Sequence, residues 1–256
     1  MGKCVNWECA SAVSIGTAHT ERGGRCEDRC SSQVFDQAGA PWLAMFVSDG
    51  AGSAECGEQG ADIAVRTANE TVSQLMQLAE LPLDESLALQ IVNDIRQAIS
   101  QAADQSQRPA RDYACTFLGA LTSATGTLVF QIGDGGIVLG GQNGLELAIE
   151  PMKGLYENET AFLTQNDAVE ILAVRIFPTG VKSIAMFSDG LQRLALDMAK
   201  GEPHGPFFEP IFRKMQALTD ESRPMIGSAL ESFLGSSRIN DRTDDDKSLA
   251  IAVLRV

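Results

Sequence analysis

Three apolar runs in this chain close in the same way. Met45-Phe46-Val47-Ser48-Asp49-Gly50, Phe130-Gln131-Ile132-Gly133-Asp134-Gly135 and Ala185-Met186-Phe187-Ser188-Asp189-Gly190 each end on Asp-Gly. A fourth run, Lys247-Ser248-Leu249-Ala250-Ile251-Ala252-Val253, is entered from the acidic stretch Asp244-Asp245-Asp246. Short apolar runs bounded by glycine and aspartate read as strands. Whatever fold the chain adopts must therefore carry several strands that have carboxylates at their tips.

The same reasoning assigns strands to Ala12–Thr17, Leu43–Ser48, Thr116–Thr122, Thr127–Ile132, Ile137–Leu139, Leu145–Ile149, Lys182–Ser188 and Ser248–Leu254. Short glycine-containing turns, such as Ala124-Thr125-Gly126, join several of them and imply antiparallel pairing. Two long helices are marked by apolar faces at helical spacing. One runs from Ala61 through Ala64, Val65, Ala68, Val72 and Leu75. The other follows Pro82, with Asp84 as its cap and Leu87, Ile91, Val92, Ile95 and Ile99 as its face. Two shorter helices are expected at Pro206–Leu218 and Ser222–Leu234, the second with a buried stripe running from Met225 and Ile226 to Phe233 and Leu234. Helices come in blocks rather than alternating with strands, so the class is α+β, with helices on the outer faces of a β-sandwich. No repeat, low-complexity tract or linker interrupts the pattern, and one domain over residues 1–256 is expected.

Aspartates at strand tips suit a definite chemistry. Mg²⁺ and Mn²⁺ are hard cations that take oxygen ligands, usually a few carboxylates and several waters. A short side chain must sit on rigid backbone near the ion, and a following glycine lets the chain turn and its carbonyl approach. The competing reading is that Asp-Gly is a common hairpin turn. Asp134-Gly135, between two expected strands, fits a hairpin well; Asp49 and Asp189 fit it less well, because helical segments follow them. The run at 244–246 could equally be a solvated loop.

The net charge of −14 disfavours nucleic-acid partners and repels free phosphoesters unless bound cations reverse the local sign. No apolar stretch is long enough to span a membrane, no secretory leader is evident, and the cytoplasm is the expected location. The six cysteines contain no Cys-x-x-Cys pair. Cys26 and Cys30 near His19 could form a zinc ligand set, but unrelated reduced thiols are the expectation in an acidic chain of this size.

The order of the motifs resembles the metal-dependent PP2C-type protein serine/threonine phosphatases, in a divergent bacterial branch. Cys26-Glu27-Asp28 is similar to that family's Asn-Glu-Asp motif, and Ser48-Asp49-Gly50-Ala51-Gly52 to its Asp-Gly-His-Gly segment. Gly133-Asp134-Gly135 resembles Gly-Asp-Ser, Ser188-Asp189-Gly190-Leu191 matches Ser-Asp-Gly-Leu, and Asp245-Asp246-Lys247-Ser248 resembles the closing Asp-Asn-x-Ser/Thr. The likeness covers essentially the whole chain. It implies two central antiparallel sheets flanked by helices. It also implies hydrolysis of phosphoserine and phosphothreonine in proteins by a metal-activated water at a binuclear Mg²⁺ or Mn²⁺ site. Asp49 would bridge two ions, the Gly50 carbonyl would ligate one, Asp189 and Asp245 would hold the first, and Asp134 would serve a third, looser site. Glu27 and Asp28 would act mostly through metal-bound waters.

Two departures stand out. The family's phosphate-binding arginine would fall at Gly23; Arg22 and Arg25 flank that position as substitutes or as solvated loop residues. The family's histidine is replaced by Ala51, which leaves the general acid unassigned, with His19 and His204 the only histidines in the chain. The implied partner is a phosphorylated protein together with a cognate Ser/Thr kinase. The lost histidine and displaced arginine keep a non-catalytic phosphoprotein- or kinase-binding role as the alternative, and the retained aspartates argue against it.

Overall fold

The computed structural model describes residues 6–78, 80–152 and 160–255. The chain opens with β1 (Asn6–Ser14), the single turn α1 (Thr17–Glu21), β2 (Asp28–Gln37) and β3 (Ala40–Asp49). The long helices α2 (Gly57–Leu75) and α3 (Glu85–Gln105) follow, then β4 (Phe117–Ser123), β5 (Gly126–Ile132), β6 (Gly136–Gly141), β7 (Gly144–Ile149), β8 (Ala173–Phe177) and β9 (Ser183–Phe187). The last part holds α4 (Gln192–Ala195), the two-residue strands β10 (Leu196–Asp197) and β11 (Glu202–Pro203), α5 (Gly205–Gln216), α6 (Ile226–Leu234), α7 (Ser237–Asn240) and β12 (Lys247–Arg255).

Two five-stranded sheets form the centre, in the orders β1-β12-β9-β6-β7 and β2-β3-β4-β5-β8, and all pairings are antiparallel. The α+β class and the flanking helices expected from the pattern are both present. Side-chain alternation along the central strands explains the layering. On β3, Met45 and Val47 point between the sheets, while Ala44 and Phe46 point to α2 and α3. On β9, Ile184 and Met186 point inward, while Ala185 and Phe187 meet α5 and its neighbours. Such strands are covered on both faces, which is why they read as continuous apolar runs. Phe46, Phe117 and Phe130 are fully buried; Phe46 and Phe117 stack with centroids 5.7 Å apart, and Phe130 lies tilted against Phe117 at 6.0 Å. Each contributes about 1.5–3 kcal/mol through burial.

The α3 cap is where the sequence puts it: Leu87 N–H donates to the Asp84 carboxylate at 3.0 Å. Other expectations are corrected. Strands β2 and β8 carried no strand signal, and β1 starts six residues before the expected Ala12. The last expected helix divides at Pro224 into a 3₁₀ turn, Arg223–Met225, and α6; Met225 is exposed rather than part of the buried stripe. Asp134-Gly135 is not a hairpin, because β5 and β6 belong to different sheets and the segment crosses between them.

Candidate functional site

One end of the sandwich gathers the acidic tips. Asp28 opens β2 and Asp49 closes β3, and the two are cross-strand partners. Asp134 lies in the β5–β6 crossover, Asp189 follows β9 and Asp245 precedes β12. Asp49, Gly50, Asp134, Asp189 and Asp245 line a single cavity of about 220 Å³, with His19, Ala51 and Thr116 in the same wall.

Each carboxylate is positioned by main-chain and hydroxyl contacts. The Asp49 N–H donates to Thr116 Oγ1 at 3.0 Å, the Thr116 N–H donates back to the Asp49 carbonyl at 2.8 Å, and Ser48 Oγ donates to the Thr116 carbonyl at 2.6 Å. Asp28 is fully buried and accepts from Ser188 Oγ at 2.5 Å. Ser188 in turn accepts from the Ser248 N–H at 3.0 Å, so one hydroxyl ties the ends of β2, β9 and β12 together across the two sheets. Asp134 accepts from Thr160 Oγ1 at 2.9 Å, and the Gln192 amide donates to its carbonyl. The glycines after two of the aspartates are required by close backbone packing. A Cβ on Gly50 would lie 2.4 Å from the Gly57 carbonyl carbon at the start of α2, and one on Gly190 would lie 1.9 Å from the Asp246 carbonyl oxygen.

Crowding these acids away from water makes their charges costly. Burial pushes the Asp28 carboxyl up to about 7 against the opposing Ser188 hydrogen bond, with the Asp246 and Asp189 charges adding to the rise. Burial, then Asp134 and Asp245, pushes Asp189 up to about 6. Asp49 is raised well above the usual carboxylate range by burial and by Asp28, Asp189 and Asp245. Burial also raises Asp134 and Glu27. Asp28 and Asp189 each raise the proton affinity of Asp49, so the three carboxyls act on one another as a single repelling group. Glu27 Oε2, Asp28 Oδ1 and Asp189 Oδ1 are buried and find no donor. Among the described residues, no three acidic, thiol or imidazole groups already surround one point at coordinating distance; the acids share a cavity rather than a finished shell.

Arg22 and Arg25 are both exposed and neither lines this cavity. Arg25 stands with Arg29, Glu58 and Asp62 around a separate surface hollow. Cys26, Cys30 and His19 do not gather into a metal set among the described residues. Two groups that the sequence reading named without a role meet here. Asp246 is buried and accepts from the Gly16 N–H at 2.6 Å, from the Glu27 N–H at 2.6 Å and from His19 Nδ1 at 3.0 Å, linking residues more than 200 positions away. His19 then stands in the cavity wall. For Asp246 a signal existed: counting back in twos from the inward-facing Ala252 and Ala250 places position 246 on the inner face. No local signal marks His19. Among the described residues, no helix is long and apolar enough to cross a membrane.

Comparison with known proteins agrees with this geometry. The family described as Protein phosphatase 2C matches residues 15–234. Serine/threonine-protein phosphatase 3 of Escherichia coli (strain K12) is 42% identical over 252 residues, which cover 97% of this chain and 99% of that protein. The serine/threonine phosphatase Stp1 from Staphylococcus aureus shares the fold, with a TM-score of 0.62 at 15% identity over 97% of this chain and 95% of that one. PppA of Pseudomonas aeruginosa does so with a TM-score of 0.58 at 17% identity, over 98% and 97%. Sequence match, fold and strand-tip carboxylates agree: the chain belongs to the protein phosphatase 2C family and is an enzyme, a protein serine/threonine phosphatase.

Proposed function

We propose that this enzyme removes phosphate from phosphoserine and phosphothreonine in proteins, using Mg²⁺ or Mn²⁺ held by the acidic cavity. The observation that carries this reading is the set of buried carboxylate oxygens without donors, on Glu27, Asp28 and Asp189, at the end of the sandwich where Asp49 and Asp134 also stand with raised proton affinity. An all-oxygen donor set of this kind fits a hard divalent cation. Asp49, the Gly50 carbonyl, Asp189 and Asp245 would hold two ions, Asp134 would serve a third, and Glu27 and Asp28 would fix the surrounding water. When bound, such ions polarise the phosphoryl oxygens and supply a nucleophilic water near neutral pH.

The chain's own residues do the positioning. Thr116 and Ser48 fix the Asp49 main chain, and Ser188 keeps Asp28 and Asp189 in register across the two sheets. The cation charge also offsets the repulsion a phosphoester would meet from a chain of net charge −14. Cys56 and Cys115 are buried, and burial pushes the Cys115 thiol up to about 12, which suits neither to covalent catalysis. We read residues 1–256 as one phosphatase unit that acts in the cytoplasm against the products of a Ser/Thr kinase. The test is phosphate release from a phosphoserine peptide in excess chelator and after adding Mn²⁺ or Mg²⁺. Release only with the cation is expected; full activity in excess chelator would sink the proposal.

A further inference from the structure

Among the described residues of the cavity wall, one side chain can carry positive charge. Among the described residues that line it there is no lysine or arginine; there is His19. Its ring is 22% exposed, and Nδ1 is engaged by Asp246 Oδ2 at 3.0 Å. That bond occupies one ring nitrogen and leaves Nε2 to meet whatever enters the cavity. The backbone that carries the ring is also fixed. Ala18 N–H donates to the Asp244 carbonyl at 3.0 Å, Gly24 N–H donates to the His19 carbonyl at 2.8 Å, and Gly16 N–H donates to Asp246 itself at 2.6 Å. Ala51, in the same wall, offers no polar group.

We infer that His19 is a catalytic residue that protonates the leaving oxygen of the phosphoester, with Asp246 as its positioning residue. The inference rests on the phosphatase reading above. As the water oxygen bonds to phosphorus, the bond from phosphorus to the seryl oxygen breaks and its electron pair stays on that oxygen. The Nε2 proton moves there, and serine departs as a neutral alcohol. The imidazole, still donating through Nδ1 to Asp246, is reprotonated from solvent, which balances the proton lost by the attacking water. Among the described residues, the charged groups that act on the ring are Asp246 and Asp245 before β12 and Glu27 before β2. Partial burial works against the imidazolium, but the Asp246 bond and the charges of Asp246, Glu27 and Asp245 together hold its proton affinity above the ordinary value. With Nδ1 committed to Asp246, Nε2 is the ring atom that can deliver a proton into the cavity.

The test compares His19→Gln with the wild type on a phosphoserine peptide and on an aryl phosphate, whose phenolate leaves with little help. Wild-type protein that releases phosphate from neither ester with Mn²⁺ would sink the phosphatase reading before any substitution is made, and this inference with it. With active wild type, kcat for phosphoserine should fall by about 10²–10⁴ in the variant, aryl turnover should fall by less than about tenfold, and the alkaline limb of the phosphoserine profile should disappear. Equal losses on both esters would assign His19 to phosphate binding, and no loss would leave it inert; either overturns the inference. A readout independent of turnover is the ¹⁵N imidazole spectrum, simple to assign because the chain has two histidines. His19 should hold its Nδ1 proton when neutral, and Asp246→Asn should shift its titration to lower pH. An Nε2–H tautomer in the wild type would overturn the proposed orientation.

Discussion

Replacing Asp189 by Asn should make the protein more stable in excess chelator at neutral pH, although it removes a proposed metal ligand. Burial, then Asp134 and Asp245, holds the native carboxyl at about 6 against 3.8 for an unperturbed aspartate. Because the native state binds this proton more tightly than the unfolded chain does, stability falls as pH rises from about 4 and the full cost is present above about pH 6. Each pH unit of that gap corresponds to about 1.4 kcal/mol, so the ceiling on the gain is about 3 kcal/mol. Neighbouring Asp28 and Asp49 can take up part of the proton, so roughly half the ceiling, about 1–2 kcal/mol, is expected. Asp189 Oδ1 accepts no hydrogen bond whose loss would offset this. For a chain of this size the gain should appear as a melting temperature higher by about 3–6 °C. Thermal unfolding of both proteins at pH 7.5 and pH 4.5 measures it: the variant should lead at 7.5, and the lead should shrink to about a third of that at 4.5. Saturating Mn²⁺ should reverse the order, because a cation at a thousand times its Kd adds about 4 kcal/mol to whichever protein binds it. A variant destabilised equally at both pH values in chelator would refute the idea that these carboxylates repel one another.

Other outcomes follow from the same contacts. Asp49→Asn should lower phosphopeptide turnover by about three orders of magnitude or more while its circular dichroism stays native, as expected where charge stabilisation dominates catalysis; retained turnover with Mn²⁺ would contradict the assignment. Ala51→His should do little in the wild type, where His19 already stands in the wall, but should recover part of the phosphoserine activity of His19→Gln, as steady-state kinetics on the double variant would show. Phe117→Ala removes a fully buried ring packed between Phe46 and Phe130 and should cost about 3–5 kcal/mol in urea unfolding. A cost below 1 kcal/mol would mean that the helix–sheet core repacks freely.

The sequence by itself determined the central strands, the two long helices and the acidic tips. Residues such as Leu43 to Val47 and Leu249 to Val253 are covered on both faces, so burial wrote a continuous apolar signal into the chain. The two strands of the central sheets that it hid, β2 and β8, are the two edges of one sheet, and β1, whose start it misplaced, is an edge of the other. An edge strand buries less side chain, and Asp28–Gln37 is correspondingly polar and without period. The motif order marked Asp49, Asp134, Asp189 and Asp245, because a strand tip is a local feature. Only the tertiary structure decided that Asp134-Gly135 crosses between sheets rather than turning a hairpin. It alone placed Arg22 and Arg25 outside the cavity and brought Asp246 across 227 positions to the ring of His19. The physical reason is that a contact between α1 and the segment before β12 depends on how β1 and β12 pair, and pairing register is a property of the folded sheet, not of either segment.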